Sequence, residues 1–176
     1  MTATNLIVIG PSGIGKSMLL ARVAERLAGR TIRGFNSASM WDGDRRIGWR
    51  LDACDGSDGG VFAHRDMTSE TRMGSYGTDR ALYKRIVLAQ LVPIDTNAIY
   101  FIDEIGFGPE SSPPAYEATV ALLDSPAQVI AIARYRDDGR TPFAEAVKCR
   151  PDAELIEVSL DNREALVDQI AGRFLH

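Results

Sequence analysis

The stretch GPSGIGKS occupies residues 10–17 and directly follows the apolar run NLIVI of residues 5–9. The run shows no alternation of apolar and polar residues, which predicts a strand buried on both faces. Residues 16–29 then carry apolar side chains at the spacing of one helix face. A buried strand, a glycine-rich turn and a helix in this order predict that an anion binds at the helix N-terminus.

The spacing within this stretch satisfies G-x-x-x-x-G-K-[S/T], the pattern of a phosphate-binding loop. Its glycines allow backbone conformations in which successive N–H groups point inward. Lys16 is predicted to reach the β- and γ-phosphates, and Ser17 to place its hydroxyl on Mg²⁺. We expect the whole loop to bind the nucleotide, namely Gly10, Pro11, Ser12, Gly13, Ile14, Gly15, Lys16 and Ser17.

A second motif, IYFIDEIG at residues 99–106, places two carboxylates after four apolar residues. Asp103 is predicted to hold Mg²⁺ at the end of a buried strand. Glu104 is predicted to orient or deprotonate a water for attack on the γ-phosphate. A water-activating glutamate favours hydrolysis, because kinases of this fold gain by keeping activated water away from the γ-phosphate.

A third candidate is the segment IARYRDDGR at residues 132–140, which follows another buried strand. Arg134, Arg136 and Arg140 emerge near the carboxyl end of that strand. One of them could act as an arginine finger in cis, and Arg134 is the best placed because it is nearest the strand. The alternative is a solvated loop with ion pairs to its own aspartates.

The rest of the chain alternates between apolar strands and amphipathic helices. Buried strands are predicted at 98–102 and 127–133, and helices at 79–92, 113–125 and 161–175, the last with Asp161 or Asn162 as its N-cap. Residues 31–51 are predicted to form a hairpin, whereas residues 61–77 have no clear pattern. The order predicts an α/β fold, with a mainly parallel sheet covered by helices on both faces, in one domain over residues 1–176.

The composition of the chain limits the kinds of molecule that it is expected to bind. The net charge is −4 and the basic residues are scattered, so no nucleic-acid partner is expected. No apolar run approaches the roughly 20 residues of a membrane span, so no membrane partner is expected either. Cys54 and Cys149 lie far apart, and the N-terminus resembles no signal peptide. Reduced thiols and a cytoplasmic location are therefore expected.

Four segments together resemble a known family, the small nucleoside-triphosphatases of archaea and bacteria, which have a vertebrate member called cancer-related nucleoside-triphosphatase. They are GPSGIGKS, residues 34–51, residues 101–106 and residues 159–166, with RMGSYGTD at 72–79 as a weaker fifth. The resemblance implies a RecA-like P-loop NTPase fold. It also implies Mg²⁺-dependent hydrolysis of ATP, GTP and other nucleoside triphosphates to the diphosphate and phosphate. Lys16, Ser17, Asp103 and Glu104 match family positions and inherit these roles.

Two segments depart from the family pattern, and both are predicted to line the nucleotide pocket. Where the family shows threonine, acidic residues and an arginine, this chain has Ser37, Ala38, Ser39 and Trp41. Where it shows Pro-Met-Glu-Leu, this chain has Phe-Gly-Pro-Glu at residues 107–110. The ring of Trp41 either packs within the hairpin or stacks on a nucleotide base.

Two other functions are compatible with the phosphate loop. In a nucleotide or nucleoside kinase, the three arginines of residues 132–140 would form a lid and residues 36–80 would hold the acceptor. In a nucleotide-sensing switch, turnover would be slow and a protein partner would bind near the divergent segments. Phosphorylation of an added acceptor would favour the first function, and tight binding without turnover would favour the second.

Overall fold

The computed structural model describes residues 5–106, 112–133, 135 and 142–175. Within them the strands are β1 (Asn5–Ile9), β2 (Ile32–Asp42), β3 (Arg45–Ala53), β4 (Gly59–His64), β5 (Arg72–Met73), β6 (Tyr76–Thr78), β7 (Ile99–Ile105), β8 (Gln128–Ala133) and β9 (Ala153–Glu157). The helices are α1 (Lys16–Arg26), α2 (Arg80–Leu91), α3 (Pro113–Leu123), α4 (Pro142–Lys148) and α5 (Arg163–Phe174).

These strands form a single sheet in the order β5-β6-β4-β3-β2-β7-β8-β1-β9. Strands β2, β7, β8, β1 and β9 run parallel, as the alternation of strands and helices predicted. An antiparallel extension of β3, β4, β6 and β5 continues the sheet beyond β2. Ligands of parallel sheets bind at the carboxyl edge, which is where β1 leads into the phosphate loop.

The two faces of the sheet pack against different helices, as predicted. Along β1, Ile7 packs into the core under α2 and α3, whereas its neighbours Leu6 and Val8 pack into the core under α1 and α5. Side chains alternate between the faces of a strand, so β7 and β8 divide in the same way. Each large apolar side chain so buried stabilises the fold by about 1.5–3 kcal/mol.

The predicted hairpin at residues 31–51 is confirmed, and it is longer than its apolar residues suggest. Strands β2 and β3 pair from Phe35–Ala53 to Asp42–Arg45 around a turn at Gly43 and Asp44. Strand β2 pairs with β7 only through Ile32–Phe35. Residues 36–42 therefore project past the end of this parallel pairing, with β3 as their partner, at the carboxyl edge of the sheet.

One stretch of the chain had no sequence-based assignment. Residues 61–77, which had no clear pattern, contribute to β4, β5 and β6. Their strands are short, so neither alternation nor an apolar run extends far enough to be recognised.

No helix within the described part of the chain is both long and apolar enough to cross a membrane.

The predicted N-cap of the last helix is confirmed in its position but not in its hydrogen bonding. Asn162 occupies the N-cap position of α5, but its side chain makes no capping bond. Instead its Oδ1 accepts a hydrogen bond from the backbone N–H of Ser159 at 2.8 Å, and its Nδ2 donates to the carbonyl of Glu157 at 2.9 Å. The side chain thus holds the β9–α5 connection together rather than the helix end.

Candidate active site

The phosphate loop joins the carboxyl end of β1 to the first residue of α1. Gly15 is the N-cap of α1 and has φ of 105°, a left-handed conformation that a residue with a Cβ rarely adopts. No side chain caps this helix end. The first N–H groups of α1 are therefore available to an anion, which the helix dipole also favours.

Lys16 already lies over the loop. Its Nζ donates hydrogen bonds to the carbonyls of Gly10 at 2.8 Å and Pro11 at 3.0 Å. Partial burial lowers the pKa of the Lys16 ammonium, while the negative charges of Glu104 and Asp103 raise it. The cation therefore lies within electrostatic reach of both carboxylates at the end of β7.

Asp103 is 4% exposed, which is unusual for a carboxylate. Burial raises the pKa of its carboxyl, and three contacts lower it: the Ser17 hydroxyl, the backbone N–H of Ser37 and the charge of Lys16. Its Oδ2 is buried and has no hydrogen-bond partner among the described residues. A buried carboxylate oxygen without a partner is costly unless a ligand supplies one.

The donor set suits Mg²⁺. The Asp103 carboxyl contacts the Ser17 hydroxyl and has a second oxygen without a partner, and oxygen atoms of this kind are the ligands that Mg²⁺ prefers. No three His, Cys, Asp or Glu side chains cluster as a metal cage within the described residues. This agrees with the usual manner of Mg²⁺ binding, in which one or two protein oxygens are completed by substrate phosphates and water.

Glu104 borders the same cleft as Lys16 and is half-buried. The Asp103–Glu104 peptide bond is cis, and both side chains line the cleft. A carboxylate that adjoins both the ammonium and the predicted metal position is placed to contact a water near the terminal phosphate.

The cleft has a volume of about 1290 Å³ and two different walls. One, the loop wall, consists of residues 10–17. The other, the hairpin wall, consists of the part of β2 and β3 that projects past β7, and it contributes Asn36, Ser37, Ala38, Ser39, Trp41, Arg46 and Trp49. The divergent residues Ser37, Ala38, Ser39 and Trp41 thus line the cleft as predicted. Arg46 belongs to the segment that carries the family resemblance, but the sequence assigned it no role, and Trp49 was not singled out.

Trp41 is 54% exposed and lies at the end of the hairpin wall. The Arg46 guanidinium lies over its ring, with Cζ 4.9 Å from the ring centroid. The indole therefore has a packing partner within the hairpin, which is the first of the two roles considered for it. Base stacking on Trp41 stays a prediction.

The connection between β9 and α5 lies next to the loop wall and contacts it. The Val158 N–H donates to the Ile9 carbonyl at 2.8 Å, next to the loop. A guanidinium nitrogen of Arg163 would lie 3.8 Å from a Cβ added at Gly15. The SLDNREAL segment, chosen only for its family resemblance, therefore has a physical role beside the loop.

The third sequence motif is described only in part. Arg134, Arg136 and Arg140 lie outside the described residues, as do residues 107–110. Tyr135, between the first two arginines, lines the cleft, and its hydroxyl donates to Glu157 Oε1 at 2.6 Å. The proposed arginine finger at Arg134 therefore stays a prediction.

Comparison with known proteins identifies related chains. A family model described as NTPase matches residues 5–171. The chain is 28% identical over 166 residues to nucleoside-triphosphatase THEP1 of Thermotoga maritima, covering 94% of this chain and 92% of that protein. It is 27% identical over 174 residues to the protein of the same name from Aquifex aeolicus, covering 94% and 96% respectively.

Two solved structures have the same fold. The crystal structure of THEP1 from Aquifex aeolicus has a TM-score of 0.83 and 26% sequence identity, covering 98% of this chain and 99% of that one. The solution structure of a human cancer-related nucleoside triphosphatase has a TM-score of 0.79 and 22% identity, covering 97% of both chains. The predicted α/β P-loop fold is thereby confirmed.

Proposed function

The chain belongs to the NTPase family, and we propose that it hydrolyses nucleoside triphosphates, with Mg²⁺, to the diphosphate and phosphate. The observation that carries the proposal is the arrangement around Asp103. A buried carboxylate contacts the Ser17 hydroxyl and keeps one oxygen without a partner, beside a phosphate loop whose lysine lies over the loop carbonyls.

The phosphates bind to the loop wall in this proposal. The N–H groups of residues 13–17 surround the β-phosphate, and the positive end of α1 faces it. Lys16 exchanges its two carbonyl partners for phosphate oxygens, which carry more charge. Positioning and charge neutralisation of this kind supply most of the rate enhancement in phosphoryl transfer.

Asp103 and Ser17 are the residues that would hold the metal. Mg²⁺, when bound, would neutralise charge on the β- and γ-phosphates. The carboxylate must be ionised to bind a cation, and the hydrogen bonds from Ser17 and Ser37 favour that form against the effect of burial.

Glu104 is the proposed general base. Its carboxylate accepts a hydrogen bond from the attacking water and takes its proton as the bond from the water oxygen to the γ-phosphorus forms. The bond from that phosphorus to the bridging oxygen breaks, and the diphosphate leaves. Arg134 is the proposed arginine finger, which would neutralise charge on the transferred group.

Phosphate release from ATP, GTP, CTP and UTP tests the proposal, with Mg²⁺ and again with a chelator. Lys16→Ala should lower kcat/KM by about a hundredfold to a thousandfold, since it removes a charge from the phosphates. Glu104→Gln should keep nucleotide affinity but lose turnover. Lys84→Ala is the matched control, because Lys84 is an exposed lysine on α2.

The outcomes separate the three functions considered from the sequence. Release that requires Mg²⁺ and disappears in both active-site variants supports the hydrolase. Faster phosphorylation of an added nucleotide than release of free phosphate would identify a kinase instead. Tight binding without release would identify a switch, and a protein partner would then be sought.

The proposed cellular location is the cytoplasm. Cys54 and Cys149 are both free thiols, which agrees with a reducing compartment. The proposed ligands are nucleoside triphosphates.

A further inference from the structure

The end of the hairpin wall holds an arginine between two tryptophans. The Cζ atom of Arg46 lies 4.9 Å from the ring centroid of Trp41 and 5.1 Å from that of Trp49. Trp49 in turn contacts Tyr76 edge-on, with centroids 4.7 Å apart. We call Trp41, Arg46 and Trp49 the tryptophan clamp. Stacking on two aromatic rings restricts the guanidinium and leaves its N–H groups around the edge.

Arg46 differs in its contacts from the described arginines that form ion pairs at the surface. Arg85, Arg150 and Arg173 each bond a carboxylate at 2.6–2.8 Å. For Arg46, the described residues provide only the two rings as side-chain partners, and its buried Nε has no hydrogen-bond partner. A cation with unused donors that lines a cleft is suited to bind an anion, since no carboxylate has to be displaced first.

The clamp lies on the metal side of the cleft. Ser37 donates its N–H to Asp103, and Trp41 lies four residues further along β2, or about 13 Å at the usual strand rise. The Arg46 side chain extends over Trp49, whose partner across the hairpin is Ser39. The guanidinium therefore lies over both rings in the part of the hairpin that lines the same cleft as Asp103.

The order of phosphates in a loop of this kind is fixed by the chemistry of its residues. The loop N–H groups hold the α- and β-phosphates, while the lysine and the metal contact the β- and γ-phosphates. The terminal phosphate thus lies on the side of Asp103, toward the hairpin wall and away from β9. An anion-binding group on the hairpin wall therefore lies on the side of the cleft where that phosphate is expected.

We propose that Arg46, held by Trp41 and Trp49, binds the terminal phosphate of the nucleoside triphosphate and so distinguishes triphosphate from diphosphate. The inference rests on the proposed binding of triphosphates at the loop. A planar guanidinium forms two parallel hydrogen bonds to a phosphate, which a lysine cannot do. Because the clamp fixes the guanidinium beforehand, little side-chain entropy is lost when the phosphate binds.

Calorimetric titration tests this with a non-hydrolysable ATP analogue and with ADP, both with Mg²⁺. Arg46→Ala should weaken binding of the analogue by about tenfold or more and binding of ADP by less than about twofold. Arg46→Lys should recover part of the loss. Arg45→Ala is the matched control, because Arg45 is the exposed neighbour in β3 and does not line the cleft. An equal loss for both nucleotides, or no loss for either, would overturn the assignment.

A second measurement needs no variant. The chain has two tryptophans, and both belong to the clamp. The analogue should therefore change the intrinsic tryptophan emission of the wild type, and ADP should change it much less. Identical changes with both nucleotides would count against the proposal.

These measurements also separate this inference from the proposed function. If the wild type hydrolyses nucleotides while Arg46→Ala keeps full discrimination, only the role of Arg46 fails. If the wild type hydrolyses nothing but Arg46→Ala loses discrimination, the hydrolase fails and the role of Arg46 stands.

Discussion

The loop wall takes its shape from backbone conformation, whereas the hairpin wall of the same cleft takes its shape from strand pairing and side-chain stacking. Residues 10–17 are close in sequence, and Gly15 with its left-handed φ fixes the start of α1. The hairpin wall instead needs Gly34 to approach β7 and needs Arg46 to meet two rings. A local backbone requirement produces a recognisable residue pattern in the sequence, whereas a contact between distant residues produces almost none.

The largest expected effect is in β2, just before the hairpin wall begins. Gly34 has φ of +109°, and a Cβ there would lie 1.9 Å from the Phe101 carbonyl oxygen. Gly34→Ala should therefore lower the free energy of unfolding by at least about 3 kcal/mol, because β2 and β7 must separate. Urea unfolding measures the change.

The control for this variant is Gly43→Ala in the hairpin turn. Gly43 also has a positive φ, but nothing lies within 4 Å of an added Cβ, so only the conformational cost of about 1–2 kcal/mol is expected. Equal losses in the two variants would mean that the close approach of β2 to β7 contributes nothing.

A smaller effect is expected behind the loop wall. Asn162→Ala removes two hydrogen bonds, to Ser159 and Glu157, and should lower the free energy of unfolding by about 1–2 kcal/mol. Asn97→Ala is the control, since Asn97 lies in an exposed turn. If thermal unfolding is the same for both variants, the β9–α5 connection does not support the loop.

Between the two walls, Asp103 should oppose folding when no metal is present. Burial raises the pKa of its carboxyl in the folded state, so its ionised form reduces stability as the pH rises through that pKa. Asp103→Asn should raise the free energy of unfolding at pH 7 in a chelator by about 1 kcal/mol. Below the ordinary aspartate pKa the difference should vanish, because the carboxyl is protonated in both states.

The matching measurement adds Mg²⁺ and nucleotide. The wild type should then gain stability by linkage to the bound ligand, while Asp103→Asn should gain less. A variant that is less stable than the wild type in the chelator would show that ionised Asp103 supports the fold.

The smallest effect concerns the two cysteines. Burial and the charges of Asp55 and Asp103 raise the pKa of the Cys54 thiol to about 12, whereas Cys149 is exposed. A chromogenic disulfide reagent at pH 8 should therefore label one thiol rapidly in the folded chain and two in denaturant, because the thiolate is the reactive form. Two rapid labels in the folded chain would mean that the cleft beside the hairpin wall opens readily.

The sequence predicted the parallel half of the sheet and the loop wall because both depend on local signals. The unbroken apolar runs at β1, β7 and β8 identify buried strands, and the spacing of glycines and Lys16 identifies the loop. The antiparallel extension was harder, since β5 has two residues and β6 three. The clamp could not be predicted, because stacking of Arg46 between Trp41 and Trp49 depends on the hairpin register and its irregularity near Trp41.

The two hydrogen bonds from Lys16 to its own loop affect which anions can bind there. The Lys16 ammonium donates hydrogen bonds to the carbonyls of Gly10 and Pro11. An anion that binds to the ammonium must therefore replace these two carbonyls. A singly charged anion gains little in such an exchange, whereas a polyphosphate also gains the loop N–H groups and α1. We therefore expect the loop to bind polyphosphates in preference to small singly charged anions.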